Sequence, residues 1–163
     1  MITYLTGDAT APVNGGVRII AHVCNDVGGW GRGFVLAISE RWNEPEVEYR
    51  KLKKEGKLNL GFVQFVNVEP TIIIANMVAQ KGYGKNNKSL HRTSEGDTEI
   101  PLQYDQLAIC LEKVAASARM QGASVHMPRI GCGLAGGEWH EVEKLLQAKC
   151  SDVLVYVYDL QTM

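Results

Sequence analysis

The chain has 163 residues, 45% of them apolar and 21% charged, which suits one domain spanning 1–163 with a full hydrophobic core and excludes a disordered chain. Seventeen basic residues against 18 acidic leave a formal net charge of −1, so no global field recruits nucleic acid and an anionic ligand must be held by local geometry. The longest apolar stretches, such as 71–78, fall short of a membrane span, and the N-terminus lacks the basic start and apolar run of a signal peptide.

Residues 2–5 read as a first strand, followed by Thr6-Gly7-Asp8-Ala9-Thr10. Residues 17–24 are a nearly continuous apolar, β-branched run, the pattern of a central strand covered on both faces. A glycine-rich loop leads from it into a helix marked by Phe34, Ile38 and Trp42 at i+4 spacing. Residues 61–68 and 71–78 read as two more strands, and Glu69-Pro70 between them predicts a tight connection. The segment 80–100 is long for a connection, basic in its first part and acidic in its second, and reads either as a lid or as a solvated insertion. Tyr104, Leu107, Leu111, Val114, Ala115 and Ala118 mark one stripe of a long helix, with Pro101 placed in its first turn and Gly122 at its end. A strand at 124–127, a helix carrying Trp139, Val142, Leu145 and Leu146, and a strand at 153–158 complete the chain. Interleaved strands and helices predict an α/β fold with a largely parallel sheet, whose ligands bind at the carboxyl ends of the strands.

Three loops at such ends carry the chemistry. In the first, Asp8 can accept a hydrogen bond from an exocyclic amine such as that of adenine, or cap a turn. The second runs from Cys24 to Phe34, with Gly28, Gly29, Gly31 and Gly33 close to a helix start, where backbone N–H groups and the helix N-terminus form an anion site. The third holds Pro128-Arg129-Ile130-Gly131-Cys132-Gly133-Leu134 and then Gly136 and Gly137, again between strand and helix. Its Gly131-x-Gly133-x-x-Gly136 spacing fits a dinucleotide fold, but three residues separate the strand from the glycines and no sheet remains to be built after it. Paired with the second loop it offers amides on both sides of a diphosphate. Seven residues separate Cys24 from Arg32, too many for a cysteine-phosphatase loop, and the four cysteines and four histidines show no zinc spacing. Reduced, buried thiols in a cytoplasmic protein, with neither metal nor cofactor, are expected.

Gly7-Asp8-Ala9-Thr10, the 25–34 loop and Met127 to Leu134 resemble macrodomain signatures over essentially the whole chain. The branch they are most similar to holds ADP-ribose 1″-phosphate phosphatases and terminal ADP-ribose protein glycohydrolases. The resemblance implies a three-layer α/β/α fold around a mixed, largely parallel sheet, and ADP-ribose, ADP-ribose 1″-phosphate or mono-ADP-ribosylated proteins as partners. It implies that Asp8 and Ala9 meet the adenine, with Tyr158 nearby. Tyr158 as an aromatic packed at the sheet edge is the alternative. Asn25 would hold the distal ribose, Gly31, Arg32, Gly33 and Phe34 one side of the diphosphate, and Ile130, Gly131, Cys132, Gly133 and Leu134 the other. Asp26, with Asn25 beside it, is the candidate to orient a hydrolytic water, and His22 a weaker one, since inside an apolar strand it reads first as a core histidine. The glycohydrolase type also uses a lysine after the fourth strand and an aspartate after Gly-Cys-Gly-Leu. Here those positions fall near Met77 or Val78 and at Ala135, which leaves a non-catalytic reader of ADP-ribosylated targets as the alternative to a hydrolase. A nicotinamide-dependent oxidoreductase is the more distant third.

Overall fold

The computed structural model of the chain describes residues 1–82, 100–133 and 135–161. In chain order it forms β1 (Ile2–Thr6), β2 (Arg18–Asn25), α1 (Phe34–Arg41), α2 (Glu44–Lys54), β3 (Val63–Glu69), β4 (Ile72–Gln80), α3 (Tyr104–Gln121), β5 (Ser124–Met127), α4 (Trp139–Lys149) and β6 (Val155–Asp159). The six strands make one sheet in the order β1-β6-β5-β2-β4-β3. Every pairing is parallel except β3 with β4, the hairpin that Glu69-Pro70 predicts.

The side-chain period of two sorts β2 between two cores. Ile19 and Ala21 join the cluster under α3 and α4, where Leu107, Leu111, Val142 and Leu146 also lie. Ile20 and Cys24 join the opposite cluster under α1 and α2, with Trp30, Ile38 and Tyr49. Helices thus cover both faces, the three-layer arrangement, and β4 is buried from Ile72 through Ala79 because it lies inside the sheet. In α3 the buried stripe Leu107, Cys110, Leu111, Val114, Ala115, Ala118 follows the predicted spacing, and Gly122 closes the helix at φ 61. Among the described residues no helix is long and apolar enough to cross a membrane.

Three local expectations need correction. Helix α2 has no counterpart in the sequence reading, because it turns only Pro45 and Tyr49 fully into the core. Pro101 lies before α3, not in its first turn: Leu102 makes an isolated bridge to Gln80, and the helix starts at Tyr104. Tyr158 is not at a sheet edge, since β6 runs between β1 and β5. Most of the 80–100 segment, and Leu134, lie outside the described residues.

Candidate functional site

Five strands point the same way, so the turns after β1, β2, β4, β5 and β6 meet on one edge of the sheet. Strands β2 and β5 are hydrogen-bonded neighbours about 5 Å apart, so the two glycine loops follow adjacent strands; β5 ends at Met127, one residue past the His126–Ile20 pair, whereas β2 runs on to Asn25. The β1 loop starts three spacings from β2, roughly 14 Å away.

In the loop after β1, Asp8 Oδ1 accepts hydrogen bonds from the Thr10 backbone N–H (2.8 Å) and hydroxyl (2.7 Å), which makes it the cap of its own turn. Arg41, the last residue of α1, donates from Nε to Thr10 Oγ1 at 2.7 Å and reaches Asp8 Oδ2 at 3.5 Å. Partial burial pushes the Asp8 carboxyl up, but the Thr10 and Arg41 contacts outweigh it and hold the group below its usual range. Ala9 is buried beside it. Tyr158 is 4% exposed, with its ring edge against Gly7. Its hydroxyl accepts from the Val13 N–H at 2.9 Å and meets His126 Nδ1 at 2.7 Å, so Tyr158 ties the end of β6 to the β1–β2 connection.

The loop after β2 is wrapped around Asn25. Asn25 Oδ1 accepts from the N–H groups of Val27 (3.0 Å) and Gly29 (2.9 Å), and Nδ2 donates to Gly29 O at 2.9 Å. Trp30 plugs the loop into the core, donating from Nε1 to Ser39 Oγ at 2.8 Å. Gly31, Arg32 and Gly33 are exposed, while Phe34 is half-buried beside His22. Gly33 sits at φ 82, ψ −147, a conformation essentially reserved for glycine, and is the N-cap of α1 without a side-chain cap. The first turn of α1 carries no acidic residue; the Leu36 N–H bonds back to Gly33 O at 3.1 Å, and the turn forms the positive end of the helix. Asp26 turns to β4: Oδ1 accepts the Gly82 N–H at 2.8 Å, and the Asp26 N–H donates to Gln80 O at 2.9 Å.

In the loop after β5, Ile130 is buried and Cys132 half-buried, whereas Gly133 is exposed, with nothing among the described residues within 4 Å of an added Cβ. Gly131 and Gly137 serve packing instead. A Cβ on either would fall within 2.7 Å of Leu102, and the two residues are joined by a 2.8 Å backbone hydrogen bond. Arg129 fixes the start of this loop by a bidentate pair with Asp159 (2.7 and 3.0 Å) while stacking over Tyr4 and Trp139.

His22 is a core histidine. Asn76 Nδ2 donates to Pro45 O and Gln64 Oε1, so its Oδ1 faces His22 and accepts from Nε2–H at 2.5 Å. Burial drags the imidazole down to about 4, against the opposing effect of the Asn76 hydrogen bond. Unfolded, the same group titrates near 6.5, so below that pH the unfolded chain binds a proton the folded one refuses. His22 therefore costs nothing above pH 6.5 and removes about 3 kcal/mol of stability by pH 4. Thermal melts from pH 7 to 4 should fall steeply for the parent and less for His22→Gln, and parallel curves would refute the assignment. Burial also pushes the thiols of Cys24 and Cys132 up, away from nucleophilic thiolates. Among the described residues no group of His, Cys, Asp and Glu is placed to hold a metal ion.

No family model matches the chain. A macrodomain protein from Streptomyces coelicolor is 45% identical with a TM-score of 0.81, the match covering 98% of this chain and 99% of that one. The chain belongs to the macrodomain family. A solved Bacteroides thetaiotaomicron protein is similar to this macrodomain at 47% identity and a TM-score of 0.88, over 98% of this chain and all of that one. An ADP-ribose 1″-phosphate phosphatase from Candida albicans is 27% identical over 90% of this chain and 92% of its own length. The chain spans only 17% of the length of the mouse chromodomain-helicase-DNA-binding protein 1-like, to which it is 29% identical. Within the macrodomain, Met77 and Val78 are fully buried in β4, and that strand continues to Gln80. The first residue after the fourth strand is therefore Lys81, whose N–H donates to Pro101 O, three to four residues later than the sequence reading places it. The aspartate position remains Ala135, buried, with its carbonyl accepting from the Leu102 N–H.

Proposed function

We propose that this macrodomain binds ADP-ribose across the loops after β1, β2 and β5 and hydrolyses ADP-ribose 1″-phosphate or releases mono-ADP-ribose from modified proteins. The observation that carries the reading is the adjacency of the two glycine loops on hydrogen-bonded parallel strands, beside an α1 whose N-cap is a glycine. A diphosphate lying between them meets backbone amides from both sides, Gly31 to Phe34 on one and Ile130 to Gly133 on the other. The adenine end reaches toward Asp8, Ala9 and Tyr158, at a distance that suits the extended ligand. Asn25 and Asp26 stand at the distal ribose, where Asp26 orients a water with the oxygen that Gly82 leaves free. In the phosphatase reaction the water oxygen bonds to phosphorus, the ribose oxygen leaves, and the loop amides stabilise the charge that develops. The likeness to the Candida albicans phosphatase, coextensive with this chain, supports the reaction class. Four free cysteines support a reducing, cytoplasmic setting. Ala135 at the aspartate position favours the second reading, a reader that binds ADP-ribosylated targets without turnover.

The test is calorimetry with ADP-ribose, joined to assays of phosphate release from ADP-ribose 1″-phosphate and of ADP-ribose release from modified protein. Heat and turnover are expected, with Asp26→Ala keeping affinity and losing ~10²-fold or more in rate. Heat without turnover leaves the reader, and absence of heat removes the proposal.

A further inference from the structure

Tyr49 lies in the middle of α2, fully buried, with its ring against Trp30 at 5.2 Å. Its hydroxyl stands 2.6 Å from the backbone oxygen of Asn25 and 2.9 Å from Oδ1, so one phenolic proton is shared between two acceptors of the same residue. Oδ1 is also the atom that gathers the N–H groups of Val27 and Gly29. Among the described residues, Tyr49 is the only side chain that hydrogen-bonds Asn25. The carboxamide that shapes the loop is therefore anchored to a helix behind the sheet edge.

We propose that Tyr49 is a positioning residue for the ADP-ribose site, acting through Asn25. Its hydroxyl fixes the rotamer of the Asn25 carboxamide, and the carboxamide fixes the Val27 and Gly29 amides. Those amides set the path by which Gly31 to Gly33 enter α1. Trp30 gives the same loop an apolar anchor, but it cannot choose the direction of the Asn25 amide. Burial raises the Tyr49 phenol far above its usual range, so the proton that makes this link is held at neutral pH. The role rests on the ADP-ribose reading, while the effect on the loop can be measured without any ligand.

Tyr49→Phe removes the hydroxyl and keeps the ring. In the ligand-free protein, amide exchange at Val27 and Gly29 should accelerate, while amides of β4 and α3 keep their parental rates. Affinity for ADP-ribose should fall about tenfold, the scale of a hydrogen bond lost to a buried acceptor. Asn25→Ala should weaken binding at least as much, and the double variant no further than Asn25→Ala alone, since both changes break one chain of contacts. Additive losses, or unchanged exchange at Val27 and Gly29, would overturn the proposal. A Tyr49→Phe chain unfolded at every temperature tested would overturn it too, because the hydroxyl would then be holding the core instead of the loop. If the parent binds no ADP-ribose, the functional reading falls, while the exchange measurement still decides whether Tyr49 orders the loop.

Discussion

Gly33→Glu should lose ADP-ribose binding by at least ~100-fold while still unfolding in one cooperative transition. At φ 82, ψ −147 a side chain costs roughly 1–3 kcal/mol, which the loop avoids only by leaving the conformation that presents the α1 amides. The carboxylate then lies at the helix N-terminus, where it satisfies the N–H groups itself and repels a diphosphate. Among the described residues no atom outside the chain neighbours lies within 4 Å of an added Cβ at Gly33, so the core is untouched and the melt should fall by no more than that backbone strain, about 1–3 kcal/mol. Gly33→Ala carries the strain without the charge and should fall between the two. Calorimetry at fixed salt measures all three. Parental affinity in Gly33→Glu would mean that α1 does not face the ligand.

Gly137→Ala acts from inside the protein. Its Cβ would lie 2.4 Å from Leu102 Cδ2 and 2.6 Å from the Gly131 carbonyl oxygen. Leu102 can change rotamer. The carbonyl cannot, because it accepts the Gly137 N–H at 2.8 Å and that bond closes the loop on itself. Relief requires the loop to open, so a loss of about 1–3 kcal/mol is expected, together with most of the affinity for ADP-ribose. Gly133→Ala supplies the contrast. Nothing among the described residues lies within 4 Å of its added Cβ, so stability should shift by no more than about 0.5 kcal/mol. Thermal melts of the two variants test the pair. Equal melting temperatures would mean that the loop after β5 is not held shut by the Gly131–Gly137 contact.

Much of this architecture is legible in local patterns. The buried run of β4, the stripe of α3 and the glycine that ends it are set by periods of one or a few residues, and neighbours in sequence suffice to read them. The same holds for the two glycine loops, since glycines abutting a helix start have few other uses. Helix α2 escaped because its surface is charged and its inward contacts few, so no apolar stripe marks it. Its Tyr49 nevertheless anchors Asn25, a contact across 24 positions that no spacing rule contains. The division of labour among the loop glycines was equally hidden: Gly33 and Gly133 look outward, whereas Gly131 and Gly137 make room for Leu102. His22 reads as a core histidine from its apolar strand, but Asn76, its partner, comes from the neighbouring strand through the β2–β4 register. Sequence thus determined every element but α2 and marked the loops as anion sites, because backbone propensity and hydrophobic period are properties of short segments. Tertiary structure decided that β2 and β5 are neighbours and that their loops therefore face one another. It did so because strand order follows from burying both sheet faces at once, a balance over the whole chain.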